Sequence, residues 1–123
     1  MNNAAAQDAI MRSVMDRWKA AVDAGEPQQV AACFTEDAIF QGLRPYAVGR
    51  QEIAKYYDSQ PPGLAATYGV LETRRLGKDA LLGYLDIEFQ FSDRPTISVT
   101  LGVVLRRVAD QWQIGHYQVS KLD

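Results

Sequence analysis

The 123-residue sequence has one cysteine, Cys33, and one histidine, His116. A single cysteine cannot form an internal disulfide, which favours a reducing, cytoplasmic setting. One cysteine and one histidine also exclude a structural zinc site with the usual set of ligands. We therefore expect neither a disulfide framework nor a bound metal, and we expect no other cofactor.

Long hydrophobic runs and an excess of basic residues are missing as well. No apolar run approaches the roughly twenty residues that a membrane-spanning helix needs, and the opening "MNNAAAQDAIMRSVMDRW" is unlike a signal peptide. The formal net charge is −2. A nucleic acid backbone binds to a basic stripe, which is absent here, so we expect no nucleic-acid partner. The absence of a long apolar run likewise predicts no membrane partner.

The overall composition is that of an ordinary globular protein. Hydrophobic residues make up 47% of the chain and charged residues 23%, a balance that argues against disorder. The length suits one hydrophobic core, and the sequence shows no internal repeat, linker or low-complexity tract. We expect one domain over residues 1–123.

The first half of the sequence has helical periodicity. Ile10, Val14, Trp18 and Val22 recur every four residues, which is typical of the apolar stripe of an amphipathic helix. Gly25 is expected to cap this helix. A short second helix is predicted at "PQQVAACF", a short strand at "EDAIFQG", a loop at "LRPYAVG", and a third helix at "RQEIAKYYDSQ" that "PPG" ends.

The second half alternates with the period of a β-strand. Short polar turns, "LGKDA", "SDRP" and "VADQ", separate four runs of strand residues. The predicted strands are Thr67–Leu76, Leu81–Phe91, Thr96–Val108 and Trp112–Leu122. Helices followed by a meander of strands predict an α+β domain with the helices on one face of a curved, mainly antiparallel sheet.

Alternation divides the central strands into an apolar and a polar row. The apolar row contains Leu81, Leu85, Ile87, Phe89 and Phe91, with Ile97, Val99, Leu101, Val103 and Leu105 on the next strand. By alternation alone these side chains would pack under the helices, and the polar row would face water. The last strand places Trp112, Ile114 and His116 on one side. That side fits either a half-filled cavity or a strand leaving the core.

Several segments resemble the nuclear transport factor 2-like superfamily. They are "VDAGEPQQVAACFTEDAIFQG", "GRQEIAKYY" and "LRRVADQWQIGHYQVS". The SnoaL-like group and the association domain of calcium/calmodulin-dependent kinase II are the most similar members, and the resemblance runs from about Ile10 to Ser120. It implies a cone-shaped, cystatin-like fold, in which a strongly curved mixed sheet wraps the long helix and a pocket lies at the open end.

The resemblance also implies which face of the sheet carries the pocket. It places Trp112, Ile114 and His116 on the concave face, together with the polar rows that contain Tyr84, Asp86, Glu88, Thr100 and Gly102. The apolar rows would then lie on the outer face. Because so large an apolar surface does not stay exposed on a soluble monomer, the resemblance predicts a homodimer packed through the outer face of the sheet.

The implied pocket suits a small, largely apolar ligand. The predicted ligand contacts are Trp18, Phe40, Tyr46, Tyr56, Tyr84, Thr100 and Gln118. For Trp18 and Phe40, packing in the core is the favoured alternative. Tyr46 lies in a loop, where packing demands less, and is favoured as a ligand contact. Its neighbour Arg44 is expected either at the mouth of the pocket or in solvent.

Three functions remain open at this point. Ketosteroid isomerase-like members use a carboxylate base, a tyrosine and a protonated aspartic acid, but the matching positions here are Gly42, Trp18 and Gly102 or Val103. A different acid–base pair, Asp86 with His116, would suit a cofactor-free cyclase, dehydratase or isomerase. The alternatives are simple ligand binding, with both residues structural, and a dimeric association module without activity.

Overall fold

A computed structural model describes residues 3–44 and 46–121. The described elements are α1 (Asn3–Ala24), α2 (Pro27–Ala31), β1 (Phe34–Gln41), β2 (Ala47–Val48), α3 (Arg50–Asp58), β3 (Ala65–Gly77), β4 (Ala80–Gln90), β5 (Ile97–Val108) and β6 (Gln111–Ser120). The predicted order of three helices with one early strand, followed by four long strands, is confirmed. The predicted end of the last strand at Leu122 lies outside the described residues.

Two local predictions for the first half need correction. The second helix ends at Ala31 rather than at Phe34, and Phe34 instead begins β1. The segment predicted as a loop contains β2, whose Ala47 and Val48 pair antiparallel with Phe40 and Ile39. A strand of two residues has too short a pattern to be recognised by alternation.

The six strands form one mixed sheet in the order β2-β1-β6-β5-β4-β3. Neighbouring strands run antiparallel except for β1 and β6, which are parallel. The α+β class and the mainly antiparallel mixed sheet are therefore confirmed. The sheet does not close into a barrel, because β2 and β3 lie at opposite edges.

Helix α1 lies across the inner face of the sheet and supplies part of the hydrophobic core. Met11, Val14, Met15 and Trp18 are all fully buried. The helix ends as predicted at Gly25 (φ +66°), whose amide donates to the Val22 carbonyl, while the next amide donates to Ala21. No helix in the described part of the chain is long and apolar enough to cross a membrane.

The apolar rows of the sheet face inward, towards α1. Leu81 and Leu85 of β4 and Leu101 of β5 are fully buried, whereas Tyr84 is 44% exposed. The assignment of faces that the resemblance implied is therefore wrong, and the assignment from alternation alone is confirmed. The physical reason is that α1 covers the concave face, so that this face must be the apolar one.

Strand β6 contains a bulge at Gly115. Val104 of β5 pairs with His116, but the next residue, Leu105, pairs with Ile114. The extra residue reverses the alternation, so Ile114 and Tyr117 are buried inside while His116 is turned to the outer face. The prediction that Ile114 and His116 share a face is therefore wrong.

A row of mostly apolar side chains crosses the outer face. Register pairs Val48 with Ile39, Ile39 with His116, His116 with Val104, and Val104 with Leu82. Directly paired residues share a face, so these five side chains form one line across five strands. We call them the outer-face row.

Candidate functional site

A cavity of about 590 Å³ opens at one end of the cone. It lies between the loop after β1, α3 with the segment that follows it, the adjoining ends of β4 and β5, and the end of β6. Its volume falls within the ~300–1,000 Å³ range typical of ligand pockets. The cavity occupies the inner, apolar side of the sheet, so its walls come from the same rows that build the core.

The walls of the cavity are mainly apolar. Aromatic rings come from Tyr56, Tyr57, Phe89, Phe91 and Tyr117. Leu43, Leu64, Ile97 and Val119 add aliphatic surface between these rings. Such a lining favours an apolar or aromatic body.

The innermost tyrosines are held by a network of rings and hydroxyls. The ring of Tyr117 stacks on Phe40, with centroids 4.4 Å apart and an interplanar angle of 14°. The Tyr57 hydroxyl accepts a hydrogen bond from Trp18 Nε1 at 3.1 Å, and the side chains of Tyr57 and Tyr117 interact electrostatically. Burial raises the pKa of both phenols well above the ordinary value. Tyr57 and Tyr117 therefore stay neutral at physiological pH.

Most of the polar groups near α3 are satisfied locally. The Ser59 hydroxyl donates to the Tyr56 carbonyl at 2.7 Å, and Gln60 Nε2 donates to the same oxygen at 3.2 Å. Burial raises the pKa of the half-buried Tyr56 phenol, and the charge of Arg44 partly opposes this rise. The Tyr56 hydroxyl is thus a neutral hydrogen-bonding group in the cavity wall.

Two arginines complete the lining. Arg44 comes from the loop after β1 and Arg94 from the turn between β4 and β5. Among the described residues that line the cavity, the ionisable side chains are these two arginines and the three tyrosines. The described part of the chain also holds no group of three His, Cys, Asp or Glu side chains that could bind a metal ion.

The structure brings one of the seven predicted ligand contacts into the cavity wall, namely Tyr56. Trp18 and Phe40 are buried in the core behind Tyr57 and Tyr117, as the favoured alternative held. Tyr46 is 67% exposed and does not line the cavity. The remaining three, Tyr84, Thr100 and Gln118, lie together on the outer face.

The predicted contact between Asp86 and His116 is not made. Asp86 pairs with Thr100 and His116 with Val104, so the two are separated by two strand spacings and four residues along the sheet. Strands lie ~4.8 Å apart and rise ~3.3 Å per residue, which puts their Cα atoms about 16 Å apart. Both lie on the outer face, and neither lines the cavity.

Solved structures with the same fold cover nearly the whole chain. A domain of unknown function with a cystatin-like fold from Nostoc punctiforme has a TM-score of 0.81 at 20% identity, covering 96% of this chain and 78% of that one. A ketosteroid isomerase-like protein from Erwinia carotovora has a TM-score of 0.77 at 23% identity, covering 94% and 95%. At these identities the likeness establishes the fold alone.

A third similar structure is a protein from Xanthomonas campestris that is provisionally named a calcium/calmodulin-dependent protein kinase II association domain. It has a TM-score of 0.78 at 16% identity, and covers 91% of this chain and 85% of that one. No curated protein sequence matches the chain. The model of the SnoaL-like domain matches residues 3–118, and the chain therefore belongs to the SnoaL-like family.

Proposed function

We propose that the protein binds a small, largely apolar ligand in the cavity at the open end of the cone. The observation that carries this proposal is the cavity itself, about 590 Å³ of space walled by five aromatic rings and four aliphatic side chains. Protein interiors are normally packed without voids of this size. A ligand that fills the cavity would bury this apolar lining, and the burial would drive binding.

The donor set of the cavity supports binding rather than proton transfer. Gly42, where ketosteroid isomerase-like relatives are expected to hold the base, lies in the cavity wall. A Cβ atom added there would meet the Tyr56 hydroxyl at 2.9 Å, so the tyrosine occupies the place of a side chain. The ionisable groups of the described lining are arginines and neutral phenols, which orient a ligand but do not take up a proton near neutral pH.

A series of neutral amides tests whether apolar size drives binding. We expect naphthylacetamide to bind about fivefold more tightly than phenylacetamide, since its second ring buries further apolar surface at ~25 cal/mol per Å². Acetamide, which shares only the polar group, should not bind measurably. Isothermal titration calorimetry or amide chemical shifts give the affinities. Equal, very weak binding of all three compounds would refute the proposed function.

We propose in addition that two copies associate through the outer face of the sheet. The outer-face row supplies the observation that favours this, because Ile39 and Val48, which lie side by side at the β1–β2 end of the row, are both nearly half exposed. A two-fold axis would place this apolar line against the same line of a second copy. The similar structure from Xanthomonas campestris is named as an association domain, which is consistent with association between copies.

A charge placed in the outer-face row should separate the two copies. We expect the unmodified protein to be a dimer at micromolar concentration and Ile39→Asp to be a monomer, since a buried unpaired carboxylate opposes association. The matched control is Leu71→Asp, because Leu71 has the same 46% exposure as Ile39 but lies on β3 outside the row. Sedimentation equilibrium measures the mass. A monomeric unmodified protein would overturn the dimer proposal.

A further inference from the structure

We infer that the ligand of the cavity is an amphiphilic anion, with an apolar body between the aromatic walls and a single carboxylate or similar acidic group held at the mouth by Arg44 and Arg94. This inference rests on the proposed function and adds the chemical class of the ligand. It also assigns to the mouth a polar recognition site that the apolar walls do not supply.

The first support is the distribution of charge around the cavity. The chain as a whole is acidic, with 15 Asp and Glu residues against 13 Lys and Arg and a net charge of −2. The described residues that line the cavity nevertheless include two arginines and no Asp or Glu. The two cations come from separate turns of the chain, the one after β1 and the one between β4 and β5. The fold therefore brings positive charge together at this opening against the overall balance.

The second support is the state of Arg44. No Asp or Glu in the part of the chain that the structure describes forms an ion pair with its guanidinium. Its backbone carbonyl accepts a hydrogen bond from Gln41 Nε2, which holds the loop against the end of β1. The charge of Arg44 also acts on the Tyr56 hydroxyl in the cavity wall, where it lowers the pKa against the effect of burial. An unpaired cation next to a neutral phenol offers two donors to one acidic group.

The third support is the placement of Arg94. Its Cζ atom lies 5.5 Å from the ring centroid of Phe91, and both residues line the cavity. Among the residues that the structure describes, its one ion pair is with the preceding residue, Asp93, which accepts from Nε at 3.0 Å and from Nη2 at 3.3 Å, and both side chains are about half exposed. Solvent and salt screen a pair as exposed as this one, so a ligand can displace Asp93 even from a bidentate contact. A ligand carboxylate that reaches the guanidinium would compete with Asp93, and the forked geometry of arginine suits such an acceptor.

Two ligands of nearly identical shape distinguish the contribution of the acidic group to binding from that of the apolar body. Naphthylacetate and naphthylacetamide share the ring system and differ in the charge of the terminal group at neutral pH. We expect the carboxylate to bind about tenfold more tightly, between the small gain of an exposed ion pair and the larger gain of a buried charged hydrogen bond. Added salt should weaken binding of the carboxylate more than binding of the amide. Isothermal titration calorimetry measures the affinity of each compound separately, in the same buffer.

Variants of the two arginines, each with a matched control, show which residues cause the preference for naphthylacetate over naphthylacetamide. In R44A/R94A the ratio of the two affinities should fall to about one, while R44K should keep most of it. The matched control is R74A, which removes an exposed arginine that is paired with Glu72 outside the cavity. We expect D93N to raise the ratio, because it frees Arg94, and E72Q, the matched loss of an acidic partner, to leave it unchanged.

The outcomes distinguish the inference from the proposed function. If naphthylacetamide binds but naphthylacetate binds no more tightly, the inference is wrong and the apolar pocket stands. If R74A and E72Q change the ratio as much as the mouth variants do, the preference reflects overall charge, and the inference is again wrong. If neither compound binds, the proposed function fails and the inference fails with it.

Discussion

Replacing Phe40 by alanine is expected to lower the free energy of unfolding by about 3–5 kcal/mol, the usual cost of removing a buried phenylalanine. Phe40 is 1% exposed and stacks on Tyr117 at 4.4 Å. Its ring also packs against Phe34 at 5.9 Å and Tyr57 at 5.6 Å. The space it leaves would be enclosed by rigid rings, which cannot collapse into it fully. A loss of this size is a large fraction of the ~5–15 kcal/mol that stabilises a domain.

The experiment also separates a core role from a ligand role for two residues that the sequence grouped together. Tyr46 was predicted alongside Phe40 as a ligand contact, but it is 67% exposed. Tyr46→Ala should change the free energy of unfolding by less than about 0.5 kcal/mol, as surface substitutions do. Urea denaturation followed by tryptophan fluorescence measures both variants. A cost below about 1 kcal/mol for Phe40→Ala would contradict the described packing, since it falls well under the range for buried phenylalanine.

Filling the cavity should abolish binding without unfolding the protein. Ile97 is the first residue of β5, pairs with Phe89, and lines the cavity while being partly exposed. In Ile97→Trp the indole would enter the space that the ligand needs. We expect the affinity for naphthylacetamide to fall about a hundredfold, the equivalent of the ~2–3 kcal/mol gained when an aromatic side chain is buried. The free energy of unfolding should change little, because the new ring enters empty space.

The neighbouring residue provides a matched control. Ser98 lies next to Ile97 on β5 and is exposed on the opposite face of the sheet. Ser98→Trp adds the same indole to the same strand and should leave the affinity for naphthylacetamide within about twofold, as expected for a substitution away from the site. Calorimetric titration of the two variants compares them directly. Equal losses in both, or no loss in Ile97→Trp, would place binding outside the cavity.

Much of the fold was predictable because local patterns and global packing agree. The four-residue spacing of Ile10, Val14, Trp18 and Val22 predicted α1, and alternation predicted the long strands. Alternation also predicted correctly that Leu81 and Leu85 face the core. The resemblance reversed this assignment, because a family likeness carries the shape of a fold more reliably than it carries the register of one strand.

The site was harder to predict because it depends on a bulge and on loops. A single extra residue, Gly115, turns His116 outward and Tyr117 inward, and no alternating pattern reveals such an insertion in advance. Tyr57 belongs to the predicted third helix and adjoins the predicted contact Tyr56, but the sequence did not mark it as a residue of the cavity. Arg94 lies in a turn that reaches the cavity lined by Arg44 only through the pairing of distant strands.

Mapping the bound ligand by amide chemical shifts shows whether it occupies the cavity. Naphthylacetamide is titrated into isotope-labelled protein, and the shifts are assigned to the inner or the outer face of the sheet. We predict that the largest changes occur at Tyr56, Gln60, Leu64, Phe89 and Val119, which line the cavity. Saturable changes centred on Tyr84, Thr100 and Gln118 instead would place the ligand on the outer face and contradict binding in the cavity.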